Sequence, residues 1–369
     1  MHPTQHKHEQ VEIGFQPLEF LNTWICSYIY VLAAQLKLLR VVPKYLITIS
    51  LAWIAVSGFA QVTPIDSSYA PPGRLIDIGG RKLHLLCSGK GNPTIVLVAG
   101  GGAFSIDWSL IQFRIDSITR VCSYDRAGLG WSDTGPANET VKQTVNDLHL
   151  LLQKAGEKGP FILVGASIAG IFIQAYQHTF PDEVAGLVFT NSSDRIGLKA
   201  KDKIDLLWNL TEEEVRSAYP LPASVKGSAP DKISEPFDQL PKNLQPTRVW
   251  LQMKKWNDWD PGKITPESQL SWRKEFLREF DATDTGKPPP LGKLPVVVVS
   301  SGGIANDSIR KYRNGAAARL DFLSSNTAHI TAIGSGHEIH LYQPDKLLQA
   351  LRLEIMAVRK KTLLSRISN

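Results

Sequence analysis

Cysteine is scarce: the chain of 369 residues holds three. Three cannot build a disulfide framework, so a hydrophobic core must hold the protein together. There is no dense Lys/Arg run and no alternation of arginine with aromatics, although the net charge is +6. That excludes a track for a nucleic acid strand and spreads the charge over a solvated surface. Disorder across the chain is excluded too, because 43% hydrophobic and 21% charged residues make an ordinary globular balance. No internal repeat is present, which leaves one large α/β domain with an insertion, or two ordinary domains.

Two apolar stretches open the chain, from about Phe20 to Leu39 and from Tyr45 to Ala60. Lys37, Arg40 and Lys44 precede the second. Basic residues, an apolar run of roughly fifteen, then small residues form the pattern of a secretory signal. Gly58 and Ala60 occupy the small positions, with cleavage before Gln61. The run is short of the roughly twenty residues that span a bilayer. Residues 1–60 are therefore expected to be a signal peptide or membrane-anchor leader, with membrane association through residues 20–60. The body would then be exported (periplasmic or secreted) or membrane-anchored. Helices packed on the domain are the bland alternative. Residues 61–73 (QVTPIDSSYAPPG) read as a Pro-rich linker.

From Arg74 onward, short apolar runs alternate with helix-period segments, the signature of a mostly parallel sheet covered on both faces. The runs RLIDI, KLHLLC, TIVLVAG, RVCSYD, FILVG, VAGLVFT, LPVVVVS and AHITAIG predict eight strands. Residues 140–155 have apolar positions at helical spacing and end at Gly156. The core thus covers 74–191 and 293–369. Residues 192–292 are far more than a connection needs and carry Trp208, Trp250, Trp256, Trp259 and Trp272. Helix-period segments at 203–217 and 266–280 make this insertion a helical cap after the sixth strand.

Four segments carry chemistry. Gly165-Ala166-Ser167-Ile168-Ala169-Gly170 follows a strand and opens a helix. Such a turn presents a serine in a strained backbone and requires small neighbours two residues away, here Gly165 and Ala169. Ala99-Gly100-Gly101-Gly102-Ala103 follows the third strand. Acyl transfer builds charge on a carbonyl oxygen, and each backbone N–H aimed at it is worth on the order of 3 kcal/mol. The expected donors are Ile168 and Gly101, with Gly102 and Trp108 as further substrate contacts. No Lys-Ser/Thr follows this loop, which speaks against a phosphate cradle. The segment from Tyr124 to Asp133 is a turn braced by Asp125 and Arg126. Gly334-Ser335-Gly336-His337 follows the last strand, where a histidine can reach the serine and act as its base. His340 makes H-E-I-H, not the zinc spacing, so no metal site is expected. His84, His149, His178 and His329 read as structural or exposed.

Taken in order over residues 74–357, the stretches PTIVLVAGGGAFSIDW, RVCSYDRAGLGWSD, GPFILVGASIAG, PDEVAGLVF and GSGHEIHLYQPDKL resemble the α/β-hydrolase superfamily. They are most similar to its esterase and proline-iminopeptidase-like serine hydrolases. The resemblance implies a nucleophile at Ser167, a base at His337, and no cofactor or metal. The residue before the nucleophile is Ala166 where the family often has His, and the glycine loop lacks its usual leading His. The acid is open: Asp307 keeps the commoner position after the seventh strand, and Asp194 lies near the end of the sixth. In this fold the second strand runs antiparallel beside the fourth, so Cys87 and Cys122 form either a disulfide or two buried thiols. The implied substrate is a small-molecule ester or amide, not a nucleic acid. Three functions compete: an esterase for a small or lipophilic acyl group, a peptidase removing an N-terminal residue, and an inactive fold used for binding. The peptidase needs a cap carboxylate for the substrate amine, for which Glu212, Glu213, Glu214 and Asp258 are generic candidates.

Overall fold

The computed structural model describes residues 69–135, 140–192, 232–258, 291–302, 317, 318 and 320–364. All of them fall in one unit, Asp66–Asn369. Its strands are β1 (Arg74–Asp77), β2 (Lys82–Ser88), β3 (Ile95–Val98), β4 (Val121–Tyr124), β5 (Phe161–Ala166), β6 (Val184–Thr190), β7 (Val296–Ser301) and β8 (Thr327–Ala332). They form one sheet in the order β1-β2-β4-β3-β5-β6-β7-β8. β2 is antiparallel to β1 and β4, and the others are parallel. All eight expected strands are present, within two residues of their expected ends. β3, β4, β5 and β7 are buried along their whole length, which is why they read as continuous apolar runs rather than alternating ones.

The helices are α1 (Ser109–Ile115), α2 (Val141–Ala155), α3 (Ala169–Thr179), α4 (Gln245–Asp258), α5 (Ile339–Tyr342) and α6 (Pro344–Lys360). α2 shows why these segments are helical. Thr140 caps it by accepting the Gln143 N–H at 3.0 Å, and Gly156 closes it at φ 79°. Between these ends Val141, Val145, Leu148, Leu151 and Leu152 form one buried stripe. α2 and α3 pack on one face of the sheet, α1 and α6 on the other.

Cys87 pairs with Cys122 across the β2–β4 ladder, and the two form a disulfide. The last residues of the Pro-rich stretch are docked on the domain. Tyr69 stacks on Trp250 with ring centroids 5.0 Å apart, and its carbonyl accepts Trp131 Nε1–H at 2.8 Å. Among the described residues no helix is long and apolar enough to cross a membrane. The leader, 1–60, and the cap segments 203–217 and 266–280 lie outside them.

Candidate active site

The parallel strands all end at one edge of the sheet, and every segment with a chemical signature lies there. Ser167 follows β5 directly and precedes α3. Its φ is 54°, a left-handed conformation that costs a non-glycine residue about 1–2 kcal/mol. Packing enforces it: the Ser167 N–H donates to Thr190 O at 3.2 Å, and Ser167 O accepts the Gly170 N–H at 3.1 Å. A Cβ on Gly165 would meet Ala169 C and O at 2.8 Å. The requirement for small residues around the serine is thus met by the strand and helix crossing at contact distance.

The glycine loop lies against this turn. A Cβ on Gly100 would sit 3.2 Å from Ser167 Cβ, and one on Gly101 would be 3.9 Å from Ile168 Cγ2. Gly100 to Ala103 forms a tight turn, with the Ala103 N–H donating to Gly100 O at 3.4 Å and Gly102 at φ 72°. That φ at the third turn residue is what a type II turn requires. Arg126 Nη2 donates to Gly100 O at 2.7 Å.

His337 is half-buried on the loop after β8. A residue at the end of β6 holds it. Asn191 Nδ2 donates to His337 O at 2.9 Å and to Gly336 O at 3.2 Å, while its Oδ1 accepts the Ser301 N–H at 2.8 Å. Asn191 adopts φ 44°, which its short amide side chain tolerates. The serine and histidine loops are therefore joined through the last residue of β6 and the one after it, Thr190 to Ser167 and Asn191 to His337. Asn191 occupies the end of the sixth strand, the alternative position for the acid, but reading one segment at a time gave it no role, because its partners are 110 and 146 positions away in the chain.

Asp125 and Arg126 do brace the turn after β4. Asp125 Oδ2 accepts from His84 Nδ1 at 2.8 Å, and its Oδ1 accepts the Ser105 N–H at 2.6 Å. His84 Nε2 accepts the Gly73 N–H at 3.0 Å, which fixes the proton on Nδ1. Ser105 Oγ also contacts His84 Nδ1, at 3.2 Å. This buried Ser105–His84–Asp125 group imitates a triad by residue type. Its serine and aspartate crowd the same ring nitrogen, and all three are at most 1% exposed, so it is scaffolding.

α4 is fastened beside the glycine loop. Arg248 Nε donates to Asp107 Oδ1 at 2.7 Å in a buried ion pair, and its guanidinium lies 4.6 Å from the Phe104 ring and 4.0 Å from the Phe237 ring. Leu251 packs with Phe104 and Ile106. On the same face Lys255 reaches the loop: a Cβ on Gly102 would be 2.5 Å from its Nζ. Desolvation there pushes the Lys255 ammonium below its ordinary range, and Arg126 and Arg248 push the same way.

Trp108 is 1% exposed and packs on His340 with centroids 4.6 Å apart and the rings tilted by 34°, a packing position beneath the loop. Burial drops His340 to about 3, aided by His337, so it stays neutral. His149 contacts Glu183 Oε2 at 3.2 Å and His329 contacts Asp321 Oδ2 at 2.9 Å, both structural pairs. Asp194 and Asp307 lie outside the described residues. For a metal, the described residues offer one trio within ligand distance, Cys87, Cys122 and Glu157. Its sulfurs are bonded to each other and Arg120 holds Glu157, so the donors are consumed.

A sheet of this order, with a strained serine between its central strand and the following helix, is the α/β-hydrolase scaffold. Residues 95–350 match the sequence profile of the alpha/beta hydrolase family, and the chain belongs to that family. Among solved structures, a putative lipase from Acinetobacter baumannii is similar at TM-score 0.54 and 16% identity, covering 78% of this chain and 92% of that one. A thermophilic esterase from Thermogutta terrifontis is similar at TM-score 0.51 and 19% identity, covering 75% and 94%. Among curated proteins, a probable transporter of Hormonema carpetanum is 34% identical over 139 residues, 36% of this chain. The match spans 20% of that transporter's length.

Proposed function

We propose that this hydrolase cleaves carboxylic esters through an acyl-enzyme, with Ser167 as nucleophile and His337 as general base. The observation that carries the reading is the left-handed backbone of Ser167 at the end of β5, held against a glycine loop. A serine there attacks the ester carbonyl, His337 takes its proton and returns it to the leaving alcohol, and water releases the acid by the same route in reverse. The N–H groups of Ile168 and Gly101 stabilise the oxyanion. Either Asp307 or Asp194 orients His337. Arg126 and Lys255 beside the loop favour ester cleavage over removal of an N-terminal residue, since a substrate ammonium would be repelled there. Export or anchoring through residues 20–60 is part of the proposal, on their basic-flanked apolar character alone; the N-terminal mass of mature protein tests it.

The test is labelling of the full chain by a fluorophosphonate probe, which reacts with activated serines. Wild type is expected to label, and Ser167→Ala and His337→Ala to lose labelling, with ester turnover down at least about ten-thousandfold. Labelling that survives in Ser167→Ala, or folded wild type that does not label, overturns the assignment.

A further inference from the structure

Two cations flank the glycine loop, and among the described residues no anion lies between them. Arg126 holds Gly100 O, and its Nε is buried without a hydrogen-bond partner. Lys255 sits over Gly102. Nearby charged side chains on the same edge are paired: Arg248 has Asp107, and Asp125 has His84. Among the described residues neither Arg126 nor Lys255 forms an ion pair. Lys255 is exposed, yet its ammonium lies over the backbone turn at Gly102.

The placement is built into α4. Arg248, Leu251 and Lys255 fall at helical spacing on one face, and the first two are 4% and 1% exposed. The buried Arg248–Asp107 pair and the Leu251 contacts therefore aim the third residue at the loop. Gly102 has no side chain to occupy the same space.

On this basis, and resting on the esterase reading above, we propose that the substrate carries an ionised carboxylate beside its ester and that Lys255, supported by Arg126, receives it. The carboxylate supplies the missing anion at the loop. A neutral ester gains nothing from the two cations. Lys255 is thus a specificity residue, and its contribution falls on substrate binding.

The experiment compares three 4-substituted phenyl esters on the full-length protein. The first is neutral 4-nitrophenyl butyrate. The second is mono-4-nitrophenyl glutarate, with the carboxylate on the acyl side. The third is 4-butyryloxybenzoate, with the carboxylate on the alcohol side. Wild type is expected to prefer one charged ester over the neutral one in kcat/KM, and that ester identifies the side. Lys255→Met should lower the charged-to-neutral ratio about tenfold, mainly through KM, and Lys255→Arg should restore it. A wild type that prefers the neutral ester, or a ratio unmoved in Lys255→Met, overturns this proposal while fluorophosphonate labelling of Ser167 persists. Loss of labelling and of all turnover overturns the esterase reading and this one with it.

Discussion

The two edges of the sheet are built on opposite terms. At the amino edge, charges and loops are tied down. Arg120 donates through Nε and Nη2 to the two oxygens of Glu157, each at 2.6 Å. Arg359 at the end of α6 donates to Asn92 O and Ile118 O, each at 2.9 Å. The Cys87–Cys122 bond joins β2 to β4 there. At the carboxyl edge Ser167 and Asn191 have positive φ, and among the described residues Arg126 and Lys255 lack an anion. Both edges belong to the same ladders, so strand pairing does not set the difference. Strain and exposed charge are concentrated at the carboxyl edge, and the opposite edge supplies stability to offset them.

If that division holds, damage at the amino edge should lower stability and spare turnover. The largest effect is expected from the double variant Cys87→Ala/Cys122→Ala. The bond closes a loop of 35 residues, and its loss should cost about 3–4 kcal/mol in urea unfolding, with kcat retained. A fall in kcat at full stability would break the comparison.

Glu354 is the exception that sharpens it. This α6 carboxyl is fully buried against Gly186 in the first half of β6, and neither oxygen has a hydrogen-bond partner. The nearby Leu187 N–H already donates to Pro295 O at 3.1 Å. Burial therefore raises the acid well above its ordinary 4.5, and Leu187 offsets this only in part. The folded state keeps a proton that the unfolded chain releases above that value. Stability is then greatest in acid and falls as pH rises toward the folded pKa. Glu354→Met should stabilise the protein by about 1–3 kcal/mol at pH 7, and the gain should shrink at about pH 4. A gain that does not change between those pH values would show that Glu354 has a partner.

At the carboxyl edge the reverse is expected. Asn191→Gly keeps the left-handed backbone and removes the amide that holds the His337 loop. Ester kcat/KM should fall about tenfold, with a melting shift of only a few degrees. Equal loss of activity and stability would make Asn191 a general structural residue rather than a positioning one. The smallest effect belongs to Glu157→Gln. It should weaken the Arg120 pair by about 1 kcal/mol, because Arg120 is partly solvated, and leave turnover alone; chemical denaturation and steady-state rates check both.

The strands and the serine turn were legible because their signals are local. Four apolar residues in a row with glycines after them specify a buried strand and its exit. Ser167 between Gly165 and Ala169 specifies a tight turn. The cysteine pairing was legible only through the fold, since it needs the β2–β4 register. Three features were hidden. Asn191 stands where an alternative acid would, and its holding role does not show until β7 and the His337 loop are placed beside it. Lys255 looks like one of many cap lysines until the Arg248–Asp107 pair aims it. Trp108 reads as a substrate contact by its nearness to the glycine loop, yet it packs on His340, whose position depends on a loop more than two hundred residues away.

The end of β6 has a consequence for inheritance. Thr190 and Asn191 fasten Ser167 and the His337 loop, and Ser192 then locks the strand exit by donating its hydroxyl to Gly165 O at 2.6 Å. The insertion begins after that lock. A lineage that exchanged the segment beyond Asp194, up to Leu291 where the chain returns by donating its N–H to Leu323 O at 2.7 Å, would keep the bonds from Ser167 to Thr190 and from Asn191 to His337. Substrate preference and bond-breaking chemistry are then separately heritable traits of one gene, and recombination at these two seams is the economical way to make a new enzyme from this one.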